Sequence, residues 1–125
     1  MTTTAQGTVR AAIAAALDGL VVGEGFTLTG HAAEPGAVNA GDAWPVWEST
    51  APIGLNLCAF TTTWAVYVAL ADTERGGLVA RGDEVAAAVC TALGSQVGSV
   101  TTAQPVQLQF RNSGTRAAVR VLLTV

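Results

Sequence analysis

Apolar positions along the chain recur with two periods. In "GTVRAAIAAALDGLV", Val9, Ile13, Leu17 and Leu20 fall on one face of a helix, which predicts a helix from about Thr8 to Leu20. A second helical stripe, Val85, Val89 and Leu93, runs through "GDEVAAAVCTALG", with Asp83 as N-cap, Glu84 in the first turn and Gly94 as the stop. Both helices are padded with Ala, so their axes can lie close against a sheet.

The remaining segments alternate as strands do. "GFTLTGH" (25–31) is short and half polar. "FTTTWAVYVAL" (60–70) sets Trp64, Val66, Val68 and Leu70 on one side and Ala65, Tyr67 and Ala69 on the other. Apolar on both faces, it is expected to be a central strand. "PVQLQF" alternates Val106, Leu108 and Phe110 with Gln107 and Gln109; "TRAAVRVLLTV" alternates Ala117, Val119, Val121 and Leu123 with Arg116, Ala118 and Arg120. With "RNSGT" as the turn, they form a hairpin with one apolar face and one Gln/Arg face, and Pro105 belongs at an edge or bulge. Helix, strands, helix and hairpin, without regular βαβ alternation, indicate an α+β two-layer sandwich. Its sheet is mixed and mostly antiparallel, with both helices on one face. A length of 125 residues suits a single domain spanning 1–125.

Two of the three tryptophans stand in "AWPVWEST". Trp44 and Trp47 are separated by an odd number of positions, so an extended strand sends their rings to opposite sides, and only one can serve the core readily. Pro45 and Pro52 cannot donate to a ladder, which marks an edge strand or an extended arm. An outward Trp on such an edge, beside Pro45 and Glu48, has the form of a subunit contact, because aromatic residues concentrate at interface centres. The alternative is that both rings fold back over the open end of the sheet.

Half of the residues are apolar and 12% are charged, so Ala, Gly, Thr, Ser and Gln must cover most of the surface. All the basic residues are Arg, and the net charge of −3 offers no broad footprint for phosphate backbones. Cys58 and Cys90 lack a metal spacing and read as buried thiols of a reducing compartment. The N-terminus does not fit a secretory signal, and "WAVYVALA" (64–71) is too short to span a membrane, so a soluble, intracellularly made chain is expected.

Catalytic chemistry finds few candidates. His31 is the one histidine, and there is no Lys to act as a base or Schiff-base amine. A Cys–His pair of His31 with Cys58 or Cys90 has no local signature. "GEG" (23–25) lacks the third glycine of a dinucleotide loop, and "GSQVG" (94–98) is no nucleophile elbow. Asp72, Glu74, Asp83 and Glu84 suit loop and helix-start positions; Glu34, Asp42 and Glu48 flank the tryptophan segment and are the weak candidates for a shared cation. No enzyme activity, cofactor or resident metal is expected. Arg111, Arg116 and Arg120, with Gln107 and Gln109, make the one local basic cluster, read as a solvated hairpin face or as a surface for a pore or acidic partner.

Taken in order, the Ala-rich helix, the short strand and loop, "AWPVWEST", "FTTTWAVYVAL", "DEVAAAVCTAL", "PVQLQF" and "AAVRVLLTV" resemble the tail terminator proteins of long-tailed actinobacteriophages over nearly the whole chain. The resemblance implies a virion protein assembled in the host cytoplasm as a homohexameric ring. That ring caps the tail tube, stops its polymerisation and offers the surface for head joining. Its implied partners are further copies of itself, the major tail tube protein and a head-closure or connector protein, with DNA passing through the ring but no sequence-specific nucleic-acid or membrane binding. Gln107, Gln109, Arg111, Arg116 and Arg120 become lumen or partner-facing candidates by hairpin position. The alternatives are a head-closure or tail-completion connector, or a small adaptor that captures a partner chain by strand addition.

Overall fold

The computed structural model describes residues 6–22, 26–53, 56–70, 75–110 and 114–125, with their side chains apart from those of residues 6, 52–53, 56–59, 75–81, 109–110 and 114–116. In chain order the elements are α1 (Gln6–Leu17), β1 (Val21–Val22), β2 (Phe26–Thr27), β3 (Thr29–Gly30), β4 (Asp42–Ile53), β5 (Asn56–Ala69), α2 (Arg75–Gln96), β6 (Ser99–Phe110) and β7 (Gly114–Thr124). The main sheet has the order β3-β4-β5-β7-β6; all its pairings are antiparallel except β3 with β4, and β1–β2 forms a separate small ribbon. This is the α+β architecture expected from the sequence.

Strand β5 is central because both its faces are apolar. Trp64, Val66 and Val68 join Val119, Val121 and Leu123 of β7 beneath Val9, Ile13 and Leu17 of α1 and Val85, Val89 and Leu93 of α2 in one core cluster. Both helices therefore lie on the same face of the sheet. On the other face, Ala65 and Ala69 of β5 and Ala118 of β7 are also buried, although no helix lies there. Their small size lets neighbouring side chains close over them.

The helices start and stop away from their predicted limits. α1 ends at Leu17, because Gly19 takes a left-handed φ of +80° and turns the chain; its N–H then donates to the Leu28 carbonyl. α2 is longer than the predicted 83–93: Asp83 sits in its interior instead of capping it, and Gly94 does not stop it. The last turn closes where the N–H groups of Val97 and Gly98 both reach the Leu93 carbonyl. Packing overrides the weak local preference of glycine here, since the Val85, Val89 and Leu93 stripe is buried in the core.

The predicted strand 25–31 is two strands. Leu28 breaks it by turning its side chain into the core while its N–H donates to Leu20, after which Thr29 and Gly30 pair in parallel with Asp42 and Ala43. β4 and β5 also reach further than expected. β7 pairs with β5 along Thr63–Ala69, and Val125 exchanges hydrogen bonds with Thr62, so only Ala51–Ile53 and their partners on β5 before Thr62 continue as a two-stranded arm.

The hairpin register differs from the expected one. Phe110 pairs with Gly114, leaving Arg111–Ser113 between them; this odd number of residues places odd positions opposite odd ones. Gln107 therefore faces Ala117 on the helix side, and Gln104 is the glutamine opposite Arg120. The single Gln/Arg face is thus corrected.

Gly30 is the closest approach between layers. A Cβ there would lie 2.0 Å from the Ala14 carbonyl oxygen of α1, which is backbone and cannot swing aside. Gly30→Ala is expected to lower stability by about 2 kcal/mol or more, measured by urea unfolding.

Candidate functional site

The tryptophan segment occupies β4, and its two rings leave the strand on opposite faces as the spacing requires. Their fates are the reverse of a simple core-versus-surface division. Trp44 points to the face without helices, yet is only 2% exposed. It stacks on Tyr67 with ring centroids 6.0 Å apart and planes 25° apart, and packs with Val38 and Ala69. Trp47, paired with Trp64, lies on the helix side but beyond the helices, and is 44% exposed. Its indole N–H donates to Thr50 Oγ1 at 2.9 Å, which fixes the ring against the arm.

Pro45 is buried, and its carbonyl accepts from Arg10 Nη1 at 3.3 Å. The same guanidinium stands 5.1 Å from the centroid of the buried Trp64 ring and also reaches the Ala32 carbonyl. Arg10 thus ties α1 to the margin of the sheet through a cation–π contact and two long hydrogen bonds.

Glu48 is the extra residue of a bulge between Trp47 and Ser49. Released from the ladder, it accepts a hydrogen bond from Arg120 Nη2 at 3.0 Å across the sheet, while Arg120 Nε donates to the Tyr67 hydroxyl at 3.2 Å. The bond to Glu48, followed by that to Tyr67, pushes the Arg120 pKa further above its ordinary value. The pair is partly exposed and contributes no more than about 1 kcal/mol to stability. Its geometric role is larger: with Arg120 held by Glu48, the Tyr67 side of the Trp44–Tyr67 stack is fixed.

Glu48, expected at a subunit contact, and Arg120, expected on a lumen or partner face, are therefore bound to each other. Gln107 is exposed on the helix side of β6. Gln109 and Arg116 hold ladder positions opposite Thr115 and Leu108, their side chains outside the described residues, and Arg111 lies outside the described residues altogether. Of the five, the two with described side chains, Gln107 and Arg120, lie on opposite faces of the sheet.

The groups weighed for chemistry are separately engaged. His31 Nε2 lies 3.0 Å from Asp42 Oδ1, and Asp42 Oδ2 accepts the Asn39 N–H at 2.8 Å. Asp42, the buried carboxylate of this segment, thereby pins both ends of the 31–42 loop, which carries Val38 onto Trp44. Cys90 packs partly buried on α2, and burial raises its pKa, which disfavours the thiolate a nucleophile needs. Cys58, Asp72 and Glu74 lie outside the described side chains. Among the described residues, no group of three or more His, Cys, Asp or Glu is placed to hold a metal ion, and no helix is long and apolar enough to cross a membrane.

What sequence reasoning missed is the second half of the exposed surface. Phe60 of β5 is 57% exposed, on the same side of the arm as Trp47, with the hydrogen-bonded Thr50 and Thr62 hydroxyls between them. The signal was present: Ser49–Ala71 contains no charged residue, and a charge-free stretch longer than one buried strand needs a second apolar environment. No protein-family model matches the chain, and no curated protein is similar to it.

Two expectations follow. Asp42→Ala is expected to cost about 1–3 kcal/mol and to speed hydrogen exchange at the Asn39 amide, because the Asn39 N–H and His31 lose their shared charged partner. In Cys58→Ser protein at pH 8, Cys90 is expected to react with a disulfide reagent more slowly than in the urea-unfolded chain, with its rate rising as pH increases and the thiolate forms.

Proposed function

We propose that this chain is a structural assembly subunit that associates with copies of itself to form a ring, in the manner of a phage tail terminator that caps the tail tube and prepares it for head joining. The observation that carries the reading is the exposed Trp47 on the outer strand β4, held in position by Thr50, with Phe60 exposed on the same side and the neighbouring Glu48 bound to Arg120. A fixed aromatic residue in water is costly to keep exposed and supplies binding energy once covered. The element order that resembles tail terminators gives the assembly its identity, and a ring of identical subunits needs a contact of this kind repeated around its axis.

In this reading Trp47 and the arm form the subunit contact, and Trp44 acts indirectly by holding the face behind it. Pro45 and Arg10 keep the adjoining backbone in place. Glu48 and Arg120 shape the opposite face, which is available to the tail tube or to a head-closure protein. A virion location and passage of DNA through the ring belong to the same proposal.

Light scattering over a concentration series tests it. Wild-type protein is expected to form a species of one discrete mass that stops growth of tubes made by the major tail protein. Trp47→Ala is expected to keep the wild-type circular dichroism spectrum while assembly weakens at least about tenfold, as befits loss of a central aromatic contact. A Trp47→Ala chain that assembles and caps like wild type would contradict the proposal, and an asymmetric complex with a foreign chain, without self-association, would favour the adaptor.

A further inference from the structure

The sheet has two unlike margins. At one, β6 is the outermost strand from Ser99 to Phe110, and its residues Thr101–Pro105 are exposed. At the other, β3 covers only Asp42 and Ala43, so β4 beyond them has no strand on its outer side, and Val46–Ala51 are exposed. Folded proteins protect long edges with charged side chains, especially Lys. Neither margin follows that practice: Thr91–Phe110 carries no charge, and the one charged residue of β4 after Asp42, Glu48, is turned to Arg120.

The two margins also complement each other in shape. Between α2 and the β6–β7 hairpin runs a groove of about 410 Å³, lined chiefly by apolar groups such as Leu70, Ala86, Pro105 and Ala117. It opens on the helix side of the sheet beside β6. Trp47 projects from the opposite margin on that same helix side. A pocket of this size accommodates an indole ring.

Backbone chemistry favours the same pairing. Pro105 has no N–H, so within the β6–β7 ladder its nitrogen belongs on the outer side; alternation then turns the N–H and C=O groups of Ala103 and Gln107 outward too. These groups are free to bond a further strand. The strand that would supply it is β4 at the sheet's other edge, whose Val46–Ala51 are exposed.

We infer that β6 and the α2–β6 groove of one subunit receive the outer edge of β4, Trp47 included, from a second copy of this chain, so that the sheet runs on from subunit to subunit. The assignment rests on the self-assembly reading above and names its two surfaces. Because they are different and lie at opposite margins, each subunit can give and receive at once, which makes the contact heterologous and able to propagate into a ring. Asp83 at the rim of the groove meets no charge on the incoming arm.

A mixing experiment tests this directly. Ala103→Lys/Gln107→Lys protein has a blocked β6, and Trp47→Ala protein has a weakened β4 margin; all three positions are exposed or lie on the edge strand, and circular dichroism checks that both variants fold. Each alone is expected to be monomeric by light scattering. Mixed in equal amounts, they retain one intact β4 margin and one intact β6 edge between them, so the mass is expected to rise about twofold and no further. Self-association of Trp47→Ala protein into a two-fold dimer would show β6 pairing with β6 and overturn the inference. Assembly of the β6 variant like wild type would overturn it while leaving ring formation standing; a wild-type chain that stays monomeric overturns both. Mixing as expected without any capping of tail tubes would retain the interface and remove the terminator role.

Discussion

Burial of both faces of β5 under unequal cover is the constraint on which the rest of the molecule depends. On one face Trp64, Val66 and Val68 lie beneath two helices, and this cluster supplies most of the apolar burial. The other face has no helix, so Ala65, Ala69 and Ala118 are closed over by their neighbours instead, with Trp44 and Tyr67 forming a lid over the upper part. That lid needs three supports: Val38 delivered by the loop that Asp42 pins, the Arg120–Glu48 bridge, and the bulge that frees Glu48 to make it. A tryptophan that a helix would otherwise cover is thus used on the bare face.

The consequence for function lies at the other tryptophan. The helices cover β5 only as far as Trp64, over which Arg10 rests, and the arm continues past them. Trp47, next to the fully buried Trp64 in the ladder but on the outer strand β4, sits on the core side of the sheet at the margin of the helical cover and stays 44% exposed. Its exposure follows from where the helices end and is compatible with a well-packed subunit, as a binding element must be. The same holds for β6, whose inner flank is packed by α2 and β7 while its outer edge stays without a neighbour in the ladder. In the proposed assembly, stability and association would draw on different parts of one sheet, so that substitutions at the margins leave the fold intact.

Much of the fold was legible from periodicity. The stripes Val9–Ile13–Leu17 and Val85–Val89–Leu93, and the two-sided apolar character of 60–70, fall where the structure places its core. The opposite directions of Trp44 and Trp47 were also legible, being a matter of parity alone. What local pattern did not reveal was cover. Whether a face is roofed by a helix depends on how far α1 and α2 extend, and α2 runs through Gly82 and Gly94 despite the low helix propensity of glycine, with its Val85–Val89–Leu93 stripe held in the core. The hairpin face was misassigned although its parity was legible: an odd number of turn residues, five in "RNSGT" or the three observed, sets odd positions opposite odd ones and so puts Gln107 on the helix side, away from Arg120. Nor could spacing foresee that Glu48 and Arg120, far apart in sequence, would neutralise each other.

Images of the concentrated wild-type protein by negative-stain electron microscopy would test the central claim most directly, because symmetry distinguishes the kinds of contact. Two unlike margins joined head to tail, in the ring proposed by likeness to tail terminators, predict closed rings of uniform diameter with a central opening. Two-fold dimers, or isolated single subunits at every concentration, would contradict the account.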